Sequence, residues 1–111
     1  RSALAKARRV LALPALAPAW RIDRSVSELE ILDANGQLRR LDRLARVDDS
    51  LWIIDYKWSV DAERRAGYIA QLADYRLLVG QLQPAPFNAP GPVRTVLVDA
   101  SAGKVEFDVD L

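Results

Sequence analysis

The chain has no cysteine, no histidine and no methionine, and only 5 glycines in 111 residues. Without cysteine there is no disulfide framework, no zinc knuckle and no thiol nucleophile. Without histidine, no imidazole base or ligand can come from within the chain. Any metal here is held by oxygen, and acid–base work falls to carboxylate, lysine or tyrosine. An excess of either charge is also missing, since 16 Lys and Arg face 15 Asp and Glu. That balance argues against a freestanding basic protein that coats DNA, yet allows a DNA-acting domain whose basic residues are clustered. The apolar runs stop well short of the ~20 residues a bilayer span needs, so no membrane partner is expected. The chain opens Arg1-Ser2-Ala3-Leu4, with no initiator and no signal-like apolar stretch, and reads as a piece of a longer cytoplasmic protein.

What is present suits one domain over residues 1–111, since half the residues are hydrophobic and a chain this long closes a single core. Ser2 to Leu13 is rich in Ala, Leu and Arg, and Leu4, Ala7, Val10 and Leu11 recur at helical spacing. Pro14 and Pro18 end that helix and leave Leu13 to Ala19 as an irregular bridge. Val26 to Leu32 reads as a strand, Asn35-Gly36 as a hairpin turn, and Gln37 to Val47 as the returning strand. After the polar turn Asp48-Asp49-Ser50, the run Leu51-Trp52-Ile53-Ile54 opens a strand that is apolar on both faces, as a central strand is. Asp61 to Val79 reads as a helix with Asp61 as cap, a buried stripe of Ala62, Ala66, Ile69, Leu72, Ala73 and Leu77, and Gly80 as its stop. A proline-rich loop from Gln83 to Pro92 precedes strands at Val93 to Val98 and Lys104 to Val109. This order predicts an α/β domain on a mixed central sheet flanked by helices.

Chemistry concentrates on the third strand. Asp55 and Lys57 follow four apolar residues, where unpaired charge is expensive, and strand alternation puts both on one face. Asp42 lies on the preceding strand. If the two strands pair through the Asp48–Ser50 turn, Asp42 comes near Asp55. Two aspartates can hold a hard divalent cation such as Mg²⁺ or Mn²⁺, with sites left for water and a phosphate oxygen. A nearby lysine can neutralise charge that develops in the transition state. The competing reading is a buried Asp–Lys pair that serves only as structure.

Three motifs together carry a resemblance. Gly36-x-x-Arg39-Arg40-Leu41-Asp42-Arg43-Leu44, Trp52-Ile53-Ile54-Asp55-Tyr56-Lys57 and Gln71-Leu72-x-x-Tyr75 resemble, in order and spacing, the RecB-type nuclease branch of the PD-(D/E)XK superfamily. Such domains usually close the C-terminus of UvrD/Rep-like helicases or stand alone as CRISPR-associated exonucleases. The resemblance implies a restriction-endonuclease-like core and a Mg²⁺-dependent exodeoxyribonuclease used in DNA repair or recombination. It implies partner helicase domains in the same parent chain or complex, with ATP bound by that helicase and not here. Asp42 and Asp55 match its metal-binding aspartates, Lys57 its active-site lysine, and the Tyr56 backbone carbonyl a further metal ligand. Gln71 and Tyr75 match a Q-x-x-x-Y motif on a helix that contacts the substrate strand. For that pair, helix packing with a locally bonded Tyr75 hydroxyl is the bland alternative.

Glu28 occupies a position where many relatives carry an acidic residue, and Glu30 shares its face. Many relatives also carry a histidine or other polar ligand on an upstream helix. Here the first helix offers only Lys6, Arg8 and Arg9 as charged groups. The missing ligand lies before Arg1 in a parent protein, or the shell is incomplete and the module grips DNA or a partner without cutting. Trp58 replaces the small hydroxyl residue common after the lysine. Arg39, Arg40, Arg43 and Arg46 form a basic cluster, with Arg43 the candidate phosphate contact, and the alternative is a solvated face paired with acids. Trp20, Trp52 and Trp58 are too scattered for a base-stacking platform and read as core or interface.

Overall fold

The computed structural model describes residues 3–82 and 89–111. Helix α1 (Ala3–Leu11) leads through a 3-10 segment, Pro14–Trp20, and a shorter one, Ile22–Arg24, into the sheet. The strands are β1 (Ser25–Leu32), β2 (Leu38–Val47), β3 (Ser50–Lys57), β4 (Val93–Asp99) and β5 (Lys104–Phe107), and helix α2 (Ala62–Leu82) connects β3 to β4. They form one five-stranded sheet in sequence order. β1, β2 and β3 make the expected antiparallel meander, β3 and β4 run parallel, and β5 returns antiparallel on β4. An α/β fold on a mixed sheet is therefore what the chain adopts.

Local chemistry explains the turns. Asp33 Oδ1 accepts the backbone N–H groups of Asn35 and Gln37, both at 2.9 Å, and Gly36 takes φ +79°. The hairpin thus turns on three residues with glycine in the left-handed position, not on Asn-Gly alone. Asp48 takes φ +53° in the tight β2–β3 connection, which aspartate tolerates better than most residues. Asp61 caps α2, its Oδ1 accepting the Arg64 N–H at 2.8 Å.

β3 is covered on both faces, and Leu51 through Asp55 are buried without interruption. On one face Ala45, Trp52, Ile54, Val96 and Val98 pack with Val10, Leu16 and Ala19 from α1 and the 3-10 segment. There Trp52 meets Phe107 edge-on at 5.0 Å. On the other face Leu41, Leu44, Leu51, Ile53 and Leu97 pack under Leu72, Tyr75 and Val79 of α2.

Several expected details differ. The α2 stripe is Leu72, Tyr75 and Val79, with Tyr68 and Leu78 packed beside it. Ala62 and Ala66 are exposed and Leu77 is 65% exposed. Apolar residues surround this helix, and its two tyrosines decide which side goes down. Gly80 does not stop α2, which runs to Leu82, because an exposed mid-helix glycine costs only about 1 kcal/mol against alanine. Among the described residues of α1 only Val10 is buried, while Leu4 and Leu11 stay more than half exposed. β5 ends at Phe107 and not Val109, because Asp108 turns the chain with φ +55°. The Gln83–Pro92 loop falls for the most part on positions 83–88, outside the described residues.

One irregularity shapes the site. Val26, then Leu29 and Ile31, all pack on the α2 side of β1, which strict alternation forbids. The swap happens at Glu28, where φ is +56°. Opposite it, the β1–β2 pairing skips the Glu28–Asp42 step and resumes at Leu29–Leu41. On β2, Leu41 and Leu44 likewise both reach the α2 face. The backbone at Asp42 is thereby lifted out of the ladder.

Candidate active site

β2 and β3 stay in register only as far as Arg43–Ile54. Beyond that point a side chain replaces the backbone, and Asp42 Oδ2 accepts the Tyr56 N–H at 2.9 Å. In a strand the N–H and C=O of one residue point to the same edge, so the Tyr56 carbonyl also faces the edge where β2 has departed. Lys57, next in line, turns its carbonyl the other way, toward the Ala100 N–H at 2.9 Å.

Asp55 shares the α2 face with Leu51 and Ile53 and is 5% exposed. Its pKa is pushed up to about 7. Burial is the largest cause, followed by a side-chain hydrogen bond with Asp42, with the Lys57 charge opposing both. A buried carboxyl beside a second carboxyl does not ionise cheaply, so Asp55 holds on to its proton. Lys57 Nζ lies 3.3 Å from Asp55 Oδ2, yet the angle makes no hydrogen bond and Oδ2 is buried without a donor. Such an oxygen is unusual in a native interior. Asp42, Asp55 and Lys57 therefore converge on one face, as the strand pairing requires.

Beneath α2, Tyr75 is buried, and its hydroxyl donates to the Arg40 carbonyl at 3.0 Å. Its pKa is raised, first by burial, with the charges of Asp55 and Asp42 adding and Arg39 opposing. Arg39 stacks over its ring at 5.2 Å and pairs with Asp33 and Asp74. Gln71 lies one turn earlier and is half-buried. Tyr75 is thus a strut from α2 to β2 beside the aspartates, with its hydroxyl already occupied by protein. Lys57 Nζ also sits 4.5 Å from the centre of the Tyr68 ring on α2. Tyr68 escaped the sequence reading, although its place three residues before Gln71 on the same helix could have suggested it.

Arg43 does not join this cluster. It is the strand neighbour of Asp42 and points to the opposite face of the sheet. There it donates to the Ala19 carbonyl at 2.9 Å and to the hydroxyls of Ser25 and Ser27, and stacks on Trp20 at 4.8 Å. It lines a cavity of about 500 Å³ against α1. The other basic residues are dispersed, Arg40 onto Glu28 and Arg46 onto the Asp48 carbonyl. Glu28 is exposed and engaged by Arg40. Glu30 stands exposed on β1, opposite Arg40 in the strand register. Among the described residues no group of three acidic or histidine ligands forms. Trp20, Trp52 and Trp58 all pack in the core on the α1 side.

A second charged cluster was not foreseen. Arg76 on α2 binds Asp108 at 2.8 Å and Asp110 at 2.7 Å, and Arg94 binds Asp108 at 2.9 Å. Both aspartates are held below the usual carboxylate range. For Asp110 the largest cause is its bond from Arg76, whereas for Asp108 burial, the largest influence, opposes the bonds from Arg76 and Arg94. This network staples the C-terminal tail to α2 and β4.

The donor set fits a hard cation: two abutting carboxylates, one with a buried oxygen that lacks a donor, beside a carbonyl-bearing strand edge. No family model matches the chain, and no curated protein sequence matches it significantly.

Proposed function

We propose that the chain is a metal-dependent nuclease domain of the RecB type, built on a restriction-endonuclease-like core, that hydrolyses phosphodiester bonds in DNA. The convergence of Asp42, Asp55 and Lys57 on one face of the central strands carries this reading. A core position that forces two carboxylates together and leaves one oxygen without a donor is costly as pure architecture and apt for a cation. Asp42, Asp55 and the Tyr56 carbonyl would hold Mg²⁺ or Mn²⁺. When bound, such an ion supplies positive charge that polarises a phosphoryl oxygen and acidifies water. Lys57, fixed at the rim of the pair, neutralises charge as it develops on the phosphate and so acts more in the transition state than in the ground state. Tyr75 of α2, with Arg39 of β2 stacked on its ring, closes the site on the helix side. In this reading the domain serves a helicase–nuclease of DNA repair or recombination in the cytoplasm, whose helicase part binds the ATP.

A second reading has the same fold gripping DNA or a partner without cutting. It is favoured by the two-carboxylate shell, which gains no third acidic or histidine ligand among the described residues. One experiment separates the two. In the full-length protein that carries this chain, with Mg²⁺ or Mn²⁺, Asp55→Ala should abolish degradation of single- or double-stranded DNA ends and leave DNA binding largely intact, since affinity comes from dispersed basic contacts. Lys57→Ala should lower the rate by about 10² or more. A wild-type protein that binds DNA and cleaves nothing with either metal gives the case to the binding module.

A further inference from the structure

We propose that Tyr68 is a positioning residue for Lys57, its ring face and the Asp55 carboxylate together fixing where the ammonium stands. Lys57 is the last residue of β3 and carries a flexible four-carbon stem. Its contact with Asp55 Oδ2, at 3.3 Å, is a charge contact without hydrogen-bond direction. One such contact leaves the head group free to swing on an arc. The second comes from α2, where the ring centre of Tyr68 lies 4.5 Å from Nζ, within range for a cation over an aromatic face.

The ring is itself well placed. Tyr68 packs against the buried cluster on the α2 face of the sheet, two turns into a helix whose start is pinned by the Asp61 cap. The strand end therefore supplies the ammonium, and the helix supplies a surface it cannot leave without losing attraction. Since the ring quadrupole does the holding, the aromatic ring is needed and the hydroxyl is not. This role rests on the nuclease reading for its catalytic meaning, whereas the clamp itself stands on the geometry.

The test uses Tyr68→Leu and Tyr68→Phe, each alone and combined with Lys57→Ala. For metal-dependent DNA cleavage, Tyr68→Leu should lower kcat about tenfold with little change in KM, and Tyr68→Phe should stay within about twofold of wild type. In the Lys57→Ala background, Tyr68→Leu should cost nothing more, because the group it positions is gone. Independently of activity, the Lys57 ε-methylene protons should show an upfield ring-current shift in wild type and Tyr68→Phe, lost in Tyr68→Leu. Equal rates for the Leu and Phe variants, or a Leu effect that persists without Lys57, overturn the positioning role. An unshifted Lys57 in wild type overturns the clamp. A wild type that cleaves nothing removes the nuclease reading, and the role in catalysis with it, while the shift still decides the clamp.

Discussion

Replacing Asp55 by asparagine should make the metal-free protein more stable at pH 8 and flatten its stability between pH 5 and pH 8. The folded pKa of Asp55 is about 7 against an ordinary 3.8, so in this window the folded state binds a proton that the unfolded chain has released. Stability must then fall as pH rises. At 1.36 kcal/mol per unit, the full displacement is on the order of 4 kcal/mol, and the part lost between pH 5 and pH 8 is roughly 3 kcal/mol. The window is otherwise quiet. The chain has no histidine or cysteine, and Asp23, Asp99, Glu106, Asp108 and Asp110 are all shifted downward, so their contributions are complete above about pH 5. Asparagine keeps the shape of the protonated acid and can still donate to Asp42. Urea denaturation in EDTA at pH 5, 6.5 and 8 reads the effect directly. Wild type should lose stability across the series and Asp55→Asn should not. Millimolar Mg²⁺ should restore wild type at pH 8 and leave the variant unchanged, by linkage to binding at the folded site. A wild-type curve that is flat or rising, or an asparagine variant with the same slope, would refute the reasoning.

Arg76→Ala should cost about 3–5 kcal/mol in denaturant titrations, because it strands Asp110, whose side chain is 2% exposed, along with Asp108. Two glycines should respond in opposite directions. Gly80→Ala meets open space in mid-helix and should raise stability by about 0.5–1 kcal/mol. Gly91→Ala would place a Cβ 2.3 Å from the Asp49 carbonyl and should lower it by about 1–3 kcal/mol, visible as a drop in Tm. Tyr75→Phe removes only the bond to the Arg40 carbonyl. It should cost about 1 kcal/mol of stability and reduce DNA cleavage less than Lys57→Ala does.

The meander, the central strand and the capped helix were readable because each rests on local signals: Asn35-Gly36, the Leu51–Ile54 run, and Asp61 before a helical stretch. The convergence of Asp42 with Asp55 followed from one tight turn and the period of two. What sequence could not show depends on distant parts. The Arg76 network joins residues 32 and 34 positions apart, and no spacing rule announces it. The face swap at Glu28 hides in a strand whose residues look ordinary. On α2, Leu72 is buried as its spacing predicts, but the burial expected of Ala62, Ala66 and Leu77 goes to Tyr68, Tyr75 and Val79. Arg43 still sits in the regular ladder opposite Ile54, and there alternation turns its side chain to the α1 face, away from Asp42 and Asp55.

The two outer strands share a feature that bears on self-association. β1 and β5 are the sheet's edges, and each carries an acidic residue in a left-handed conformation, Glu28 at φ +56° in β1 and Asp108 at φ +55° just past β5. Both are tied down by arginines, Glu28 by Arg40 and Asp108 by Arg76 and Arg94. An incoming strand needs an unbroken row of outward N–H and C=O groups to add to an edge. At β1 that row is kinked in the middle and charged at the kink, and at β5 it ends after four residues. The conformational cost of two carboxylates in an unfavourable region of backbone space thus buys resistance to edge-to-edge polymerisation, a property that a smoother and individually more stable pair of strands would lack.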